Sequence, residues 1–158
     1  MKAKILILTL LSILLLSTTA MAAKPIIKSD HRHFDIHTGL YVLQGNVYIE
    51  VKNRIITAGQ AKVNIASLEV WGSDGITVTQ DDINFTGNSI YVHGSKDQAT
   101  IEGNINFSRT NLKISADRVD YNWRDKNAVF NGNVQITQND SSFSADSLKY
   151  NIETNTIL

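Results

Sequence analysis

The sequence predicts an all-β protein: an antiparallel β-jellyroll built from stacked 29-residue bent hairpin units and open at both ends. Three observations predict it. The chain from Glu102 onward, moved forward by 29 residues, falls on the chain from Asn131 to the end without a gap: Gly103 meets Gly132, Ala116-Asp117 meets Ala145-Asp146, and Tyr121 meets Tyr150. The columns Ile27, Ile56, Phe85, Ile114, Phe143 and Phe34, Val63, Val92, Tyr121, Tyr150 keep the same 29-residue step. A fixed period of this length marks one supersecondary unit stacked on copies of itself. The composition is rich in Asn, Thr, Ser, Ile and Val, and Pro25 is the only proline, which favours strands over helices. Finally, a polar turn recurs at every half-period. A right-handed parallel β-helix, the rival architecture, needs coils of about 20-odd residues with no hairpin turns.

The first element is a processing signal. Lys2 and Lys4 precede an apolar run over residues 5–16, and Ala20-Met21-Ala22 is a small-x-small cleavage site. That pattern reads as a secretory signal over residues 1–22, cut after Ala22, with one domain over 23–158. The run is short for a membrane span; its rival reading is a retained anchor. Loss of Lys2 and Lys4 leaves 13 basic against 15 acidic residues. The charges are scattered, so the chain shows no nucleic-acid footprint and no strong steering field. There is no cysteine, hence no lipid-attachment site and no disulfide framework.

Within a unit, Leu112, Ile114 and Ala116 alternate with polar residues, the period of a strand with one buried face. At Asp117-Arg118 the parity slips, and Val119, Tyr121 and Trp123 continue the apolar face on odd positions. A one-residue slip turns every side chain over unless a bulge absorbs it, so a sharp bend is expected at Asp117 and its equivalent Asp146, with both carboxylates bonding nearby backbone N–H groups. Residues 124–127 form a polar turn. The returning strand runs through Ala128, Phe130, Val134 and Ile136, with Gly132-Asn133 between. Parity holds there, so a kink without a bulge is expected, at residues that tolerate positive φ. Counting each bend as a break predicts roughly sixteen short strands.

These residues resemble a known family. The order Ile26-Ile27-Lys28-Ser29-Asp30, Phe34-Asp35-Ile36, Tyr41 to Val47 with Gly45-Asn46-Val47, then Ile56-Thr57-Ala58 and Val63 is similar to the OstA-like domain of the LptA/OstA-like family. The pattern is fullest at Ile114-Ser115-Ala116-Asp117-Arg118-Val119-Asp120-Tyr121. Two copies depart from it: Gly59 and Asn88 stand where the pattern has Asp, and Arg32 stands in a column otherwise occupied by Ala61, Ile90, Val119 and Leu148. The resemblance implies a periplasmic lipopolysaccharide-binding bridge protein. It would shield lipid A acyl chains between the inner and outer membranes, in contact with homologous jellyroll domains of inner- and outer-membrane transport proteins. The energy would come from an ATPase elsewhere, so no catalytic residue and no cofactor is implied. An inner-membrane-anchored partner of the same pathway, and a structural β-repeat protein without a lipid ligand, are the alternatives.

The residues themselves supply a lane for acyl chains. Ile27, Ile56, Phe85, Ile114 and Phe143, with Ile49, Val78, Phe107 and Ile136, are expected to line an apolar, partly open groove. Each buried methylene is worth about 0.8 kcal/mol, so several chains bind without ionic help. Leu158 is in register with Val129 inside an expected strand, and an uncapped edge invites strand addition. Head-to-tail self-association or docking on homologous jellyrolls is expected through Ile26, Ile27, Tyr150, Ile152 and Leu158. His31, His33 and His37 with Asp35 alternate as metal ligands do; their register places them on the outward face, read as a solvated polar surface with no metal. Trp71 and Trp123 are expected to fill the core. No Ser/His/Asp set and no phosphate loop stands out.

Overall fold

The computed structural model describes residues 24–158. The expected signal over 1–22 lies outside the described residues. The strands are β1 (Ile26–Lys28), β2 (His31–Asp35), β3 (Leu40–Val51), β4 (Arg54–Asn64), β5 (Glu69–Ser73), β6 (Ile76–Gln80), β7 (Ile83–Gly87), β8 (Ser89–His93), β9 (Gln98–Arg109), β10 (Leu112–Asn122), β11 (Asn127–Gln138), β12 (Ser141–Asn151) and β13 (Thr156–Ile157). Among the described residues they form one antiparallel sheet of 13 strands. The total is below the roughly sixteen expected by counting bends as breaks, because β3, β4 and β9 to β12 run through their bends unbroken.

The bends divide the sheet into two half-sheets that share the long strands. One half contains β1, β6 and β7; the other contains β2, β5, β8 and β13; β3, β4 and β9 to β12 cross from one to the other. The halves face each other across an aromatic core. Phe85 of the first half lies 5.7 Å from Tyr121 and 6.4 Å from Phe130 of the second, ring centre to ring centre. Phe107 lies 5.6 Å from Phe130 and 5.5 Å from Tyr150. This is the predicted jellyroll.

The bends differ in detail from the expectation. On β10, Ala116 pairs with Ile105 and Arg118 with Glu102, so Asp117 alone faces the pair Gly103-Asn104. On β11, Asn131 pairs with Ser147 and Val134 with Ala145, so Gly132-Asn133 together face Asp146. The extra residue of the bulge therefore sits at Gly-Asn, where only a kink was expected. Gly132 has φ 76° and Asn133 φ 48°. Two successive left-handed residues turn the strand sharply while its inward face keeps parity. The aspartate does not cap backbone N–H groups: Asn133 Nδ2 donates to Asp117 Oδ2 at 2.8 Å, as Asn46 Nδ2 does to Asp30 Oδ2 at 2.8 Å.

The departure at Gly59 has a structural reason. Its facing residues are Asp74 and Gly75, both with positive φ. A Cβ placed on Gly59 would lie 2.5 Å from Asp74 Oδ2, just as a Cβ on Gly132 would lie 2.5 Å from Asp117 Oδ2. The carboxylate has changed strands, and the glycine has changed with it. The same contact recurs between Gly45 and Asp30, and at Gly103 the Asn88 amide takes the carboxylate's place.

The half-period turns follow a further column of the repeat, one that apolar parity does not mark. Asn64, Asn122 and Asn151 each accept backbone N–H bonds from residues two or three further on, at 2.9 to 3.2 Å. Asp35, in the same column, accepts from His37 N–H at 2.9 Å and Thr38 Oγ1 at 2.8 Å. These side-chain turns stand in for a backbone turn and reverse the chain.

Candidate functional site

The nine lane residues form one continuous row across the first half-sheet. Ile27 pairs with Ile49, Ile49 with Ile56, Ile56 with Val78, Val78 with Phe85, Phe85 with Phe107, Phe107 with Ile114, Ile114 with Ile136, and Ile136 with Phe143. Two columns of the repeat thus merge into a single inward stripe. Nearer the bends, Ala58, Gly87, Ala116 and Ala145 alternate along the next row with Val47, Ile76, Ile105 and Val134. Small residues let the halves approach where the sheet folds on itself.

The centre of this lane is filled by its own side chains. Phe85, Phe107, Ile114 and Ile136 are at most 1% exposed. The partly open groove expected from sequence is therefore not what the central units form: their aromatic rings span the gap between the halves. The lane reaches the surface at its ends, where Phe143 is 46% exposed and Ile27 and Ile56 are only partly buried.

The edge opposite the bends closes as a seam. Tyr121 donates its hydroxyl to Gln80 Oε1 at 3.3 Å, and Arg109 Nη1 donates to Tyr150 Oη at 3.2 Å. The two ties occupy the same pair of columns, one 29-residue unit apart. Among the described residues Gln80 is the buried polar side chain of the core, and burial raises the Tyr121 pKa. Arg109 also pairs with Asp82 at 2.6 Å and donates to the Ile152 carbonyl. Replacing Arg109 with Met is expected to cost about 1–3 kcal/mol, because the carbonyl and carboxylate lose a charged donor; urea unfolding measures it.

One unit earlier, the tie positions are Val51 and Val92, both apolar and partly buried. There Arg54 spans the seam instead, its guanidinium 4.4 Å from the centre of the Trp123 ring. Burial pulls the Arg54 pKa down from its ordinary value, opposed by Tyr121 and Asp97. Trp123 is fixed by its own N–H, which donates to Asp97 Oδ1 at 2.7 Å. Trp123 is thus a seam residue. Trp71, expected in the core, is 38% exposed: its register partners are Lys62 and Tyr91, on the outward face, and it stacks on Tyr91 at 5.4 Å.

The edge residues separate into two classes. Ile26 and Leu158 are exposed. Tyr150 and Ile152 are buried, the first beneath Phe107 with its hydroxyl donating to Asn155 Oδ1 at 2.6 Å. They belong to the core and seam, not to an outer contact surface, because both side chains turn inward onto the core cluster. The outer edge of β12 is paired with β13 only at Tyr150 and Asn151. At the other end, β2 buries no face and Arg32 is exposed against Leu43. No group of three metal-ligating side chains converges among the described residues, and no helix among them is long and apolar enough to cross a membrane.

A family profile described as "LptA/(LptD N-terminal domain) LPS transport protein" matches residues 26–156. The chain belongs to this family. That span runs from the first residue of β1 into β13. Among solved structures, the chain is similar to LptH from Pseudomonas aeruginosa, described as the LptA-homologous periplasmic component of the conserved lipopolysaccharide transport device. Identity is 12%, the match covers 86% of this chain and 81% of that one, and the TM-score is 0.41. No curated protein matches the chain.

Proposed function

We propose that this protein is a periplasmic section of a lipopolysaccharide bridge, sheltering lipid A acyl chains between its two half-sheets. The observation that carries the reading is the unbroken apolar row from Ile27 to Phe143, which runs from one end of the stack to the other. A core alone needs no access to the surface at both ends; a conduit does. Because the central rings fill the gap, lipid enters by parting the halves at the seam, with the bends as hinge. The signal over 1–22 is removed on export, and the outer edges of β1 and β12, with Ile26 and Leu158, dock homologous jellyrolls or further copies by strand addition.

Photocrosslinking residues placed at Ile56 and Phe143, and at Phe107 in the centre, test the conduit in cells. Lipopolysaccharide adducts are expected at all three. Adducts at none would end the carrier reading and leave a structural β-repeat. Light scattering over a concentration series tests self-association, and a strict monomer at every concentration removes it.

A further inference from the structure

At the unit where the seam lacks a polar tie, the lane is less deeply buried than at its centre. Ile27, Val51, Ile56, Val92 and Trp123 are partly buried and pack on the core. Over that ring sits Arg54. Among the described residues no carboxylate lies within ion-pair distance of its guanidinium, whereas Arg109, Arg118 and Arg124 all have one. It also makes no hydrogen bond to any of them, so the donors at its edge are free. The neighbouring acids are engaged elsewhere. Asp97 is held by Arg124 at 2.5 Å and by the Trp123 N–H, and Asp81 accepts both oxygens' worth of bonds from Asn53 at 3.0 and 2.9 Å.

A guanidinium stacked on a locked ring is pre-oriented, and its planar fork matches phosphate oxygens. An apolar floor with such a cation at its rim is complementary to an amphipathic anion. We infer that Arg54 seats the phosphate of a lipid headgroup at this less deeply buried part of the lane, while the acyl chains lie below. This rests on the lipid-carrier reading and adds a polar determinant that the apolar row does not contain. It also assigns Arg54 a role that Arg109 lacks: both bridge the seam, but the Arg109 donors are taken by Asp82, Tyr150 and the Ile152 carbonyl.

Binding of two fluorescent lipid A probes with identical acyl chains, one phosphorylated and one dephosphorylated, tests it in the purified full protein. Wild type is expected to prefer the phosphorylated probe by about tenfold, the scale of one or two charged hydrogen bonds. Arg54→Gln should abolish that preference and leave the dephosphorylated probe unaffected; Arg54→Lys should keep part of it. An equal loss for both probes in Arg54→Gln would mean that Arg54 only props the ring, and would overturn the inference. So would a preference untouched by Arg54→Gln. If neither probe binds wild type, the carrier reading itself has failed. Inorganic phosphate separates the two sources of the anion. Competition against the phosphorylated probe alone supports the headgroup site; phosphate that binds at Arg54, followed by Trp123 fluorescence, without displacing lipid overturns it.

Discussion

Gly132→Ala is expected to destabilise the protein by about 2–3 kcal/mol. Left-handed backbone costs a residue with a Cβ about 1–2 kcal/mol, and displacing the Asp117 carboxylate from Asn133 forfeits about 1 kcal/mol more. The new Cβ would otherwise lie 2.5 Å from Asp117 Oδ2. Gly39 separates the two costs: it has φ 71°, but a Cβ there meets nothing within 4 Å. Urea unfolding should therefore show Gly39→Ala losing only the backbone part. Native unit two supplies a sharper version. Rebuilding the bend as it stands at Gly59, Asp74 and Gly75, by Asp117→Gly with Gly132→Asp and Asn133→Gly, should be better tolerated than Gly132→Ala alone. Equal losses for all of these variants would show that the carboxylate–glycine contact contributes nothing.

Phe107→Ala should cost about 3–5 kcal/mol, the range for deleting a buried aromatic ring. Phe107 touches Phe85 at 4.8 Å as well as Phe130 and Tyr150, and it holds the two half-sheets together. Phe143 lies in the same row at the end of the lane and is 46% exposed. Phe143→Ala should cost well under half as much and instead reduce lipid crosslinking at that end. Since folded domains hold only about 5–15 kcal/mol in total, Phe107→Ala brings the protein near its unfolding threshold. Matching thermal shifts for the two variants would contradict the division of the row into a packed centre and an accessible end.

The repeat made the units, the strands and the inward row legible, because side-chain parity is local and a period of 29 residues aligns it from copy to copy. It also placed the bends. What parity does not encode is which strand of a pair carries the extra residue. The slip was visible at Asp117, yet the bulge formed at Gly132-Asn133, where a two-residue left-handed turn returns the side chains to the same face. The swapped pair at Gly59 and Asp74 was equally hidden, since it shows only when the strands are laid side by side. The asparagine column at the turns is local, since each side chain bonds its own turn, but it lies outside the apolar parity that marks the strands.

The sequence by itself determined a stack of bent hairpins with an apolar stripe, because alternation, glycine position and period are properties of the chain alone. Only the tertiary structure decided that Tyr150 is a seam residue and not a docking edge, that Trp71 faces outward, and that no carboxylate among the described residues lies within ion-pair distance of Arg54. The first and last depend on the distance between the two half-sheets, and the second on the register that sets Trp71 beside Lys62 and Tyr91. That distance is set by how Phe85, Phe107 and Phe130 pack against one another. Packing joins residues from different units, and a repeat read along one strand at a time does not contain it.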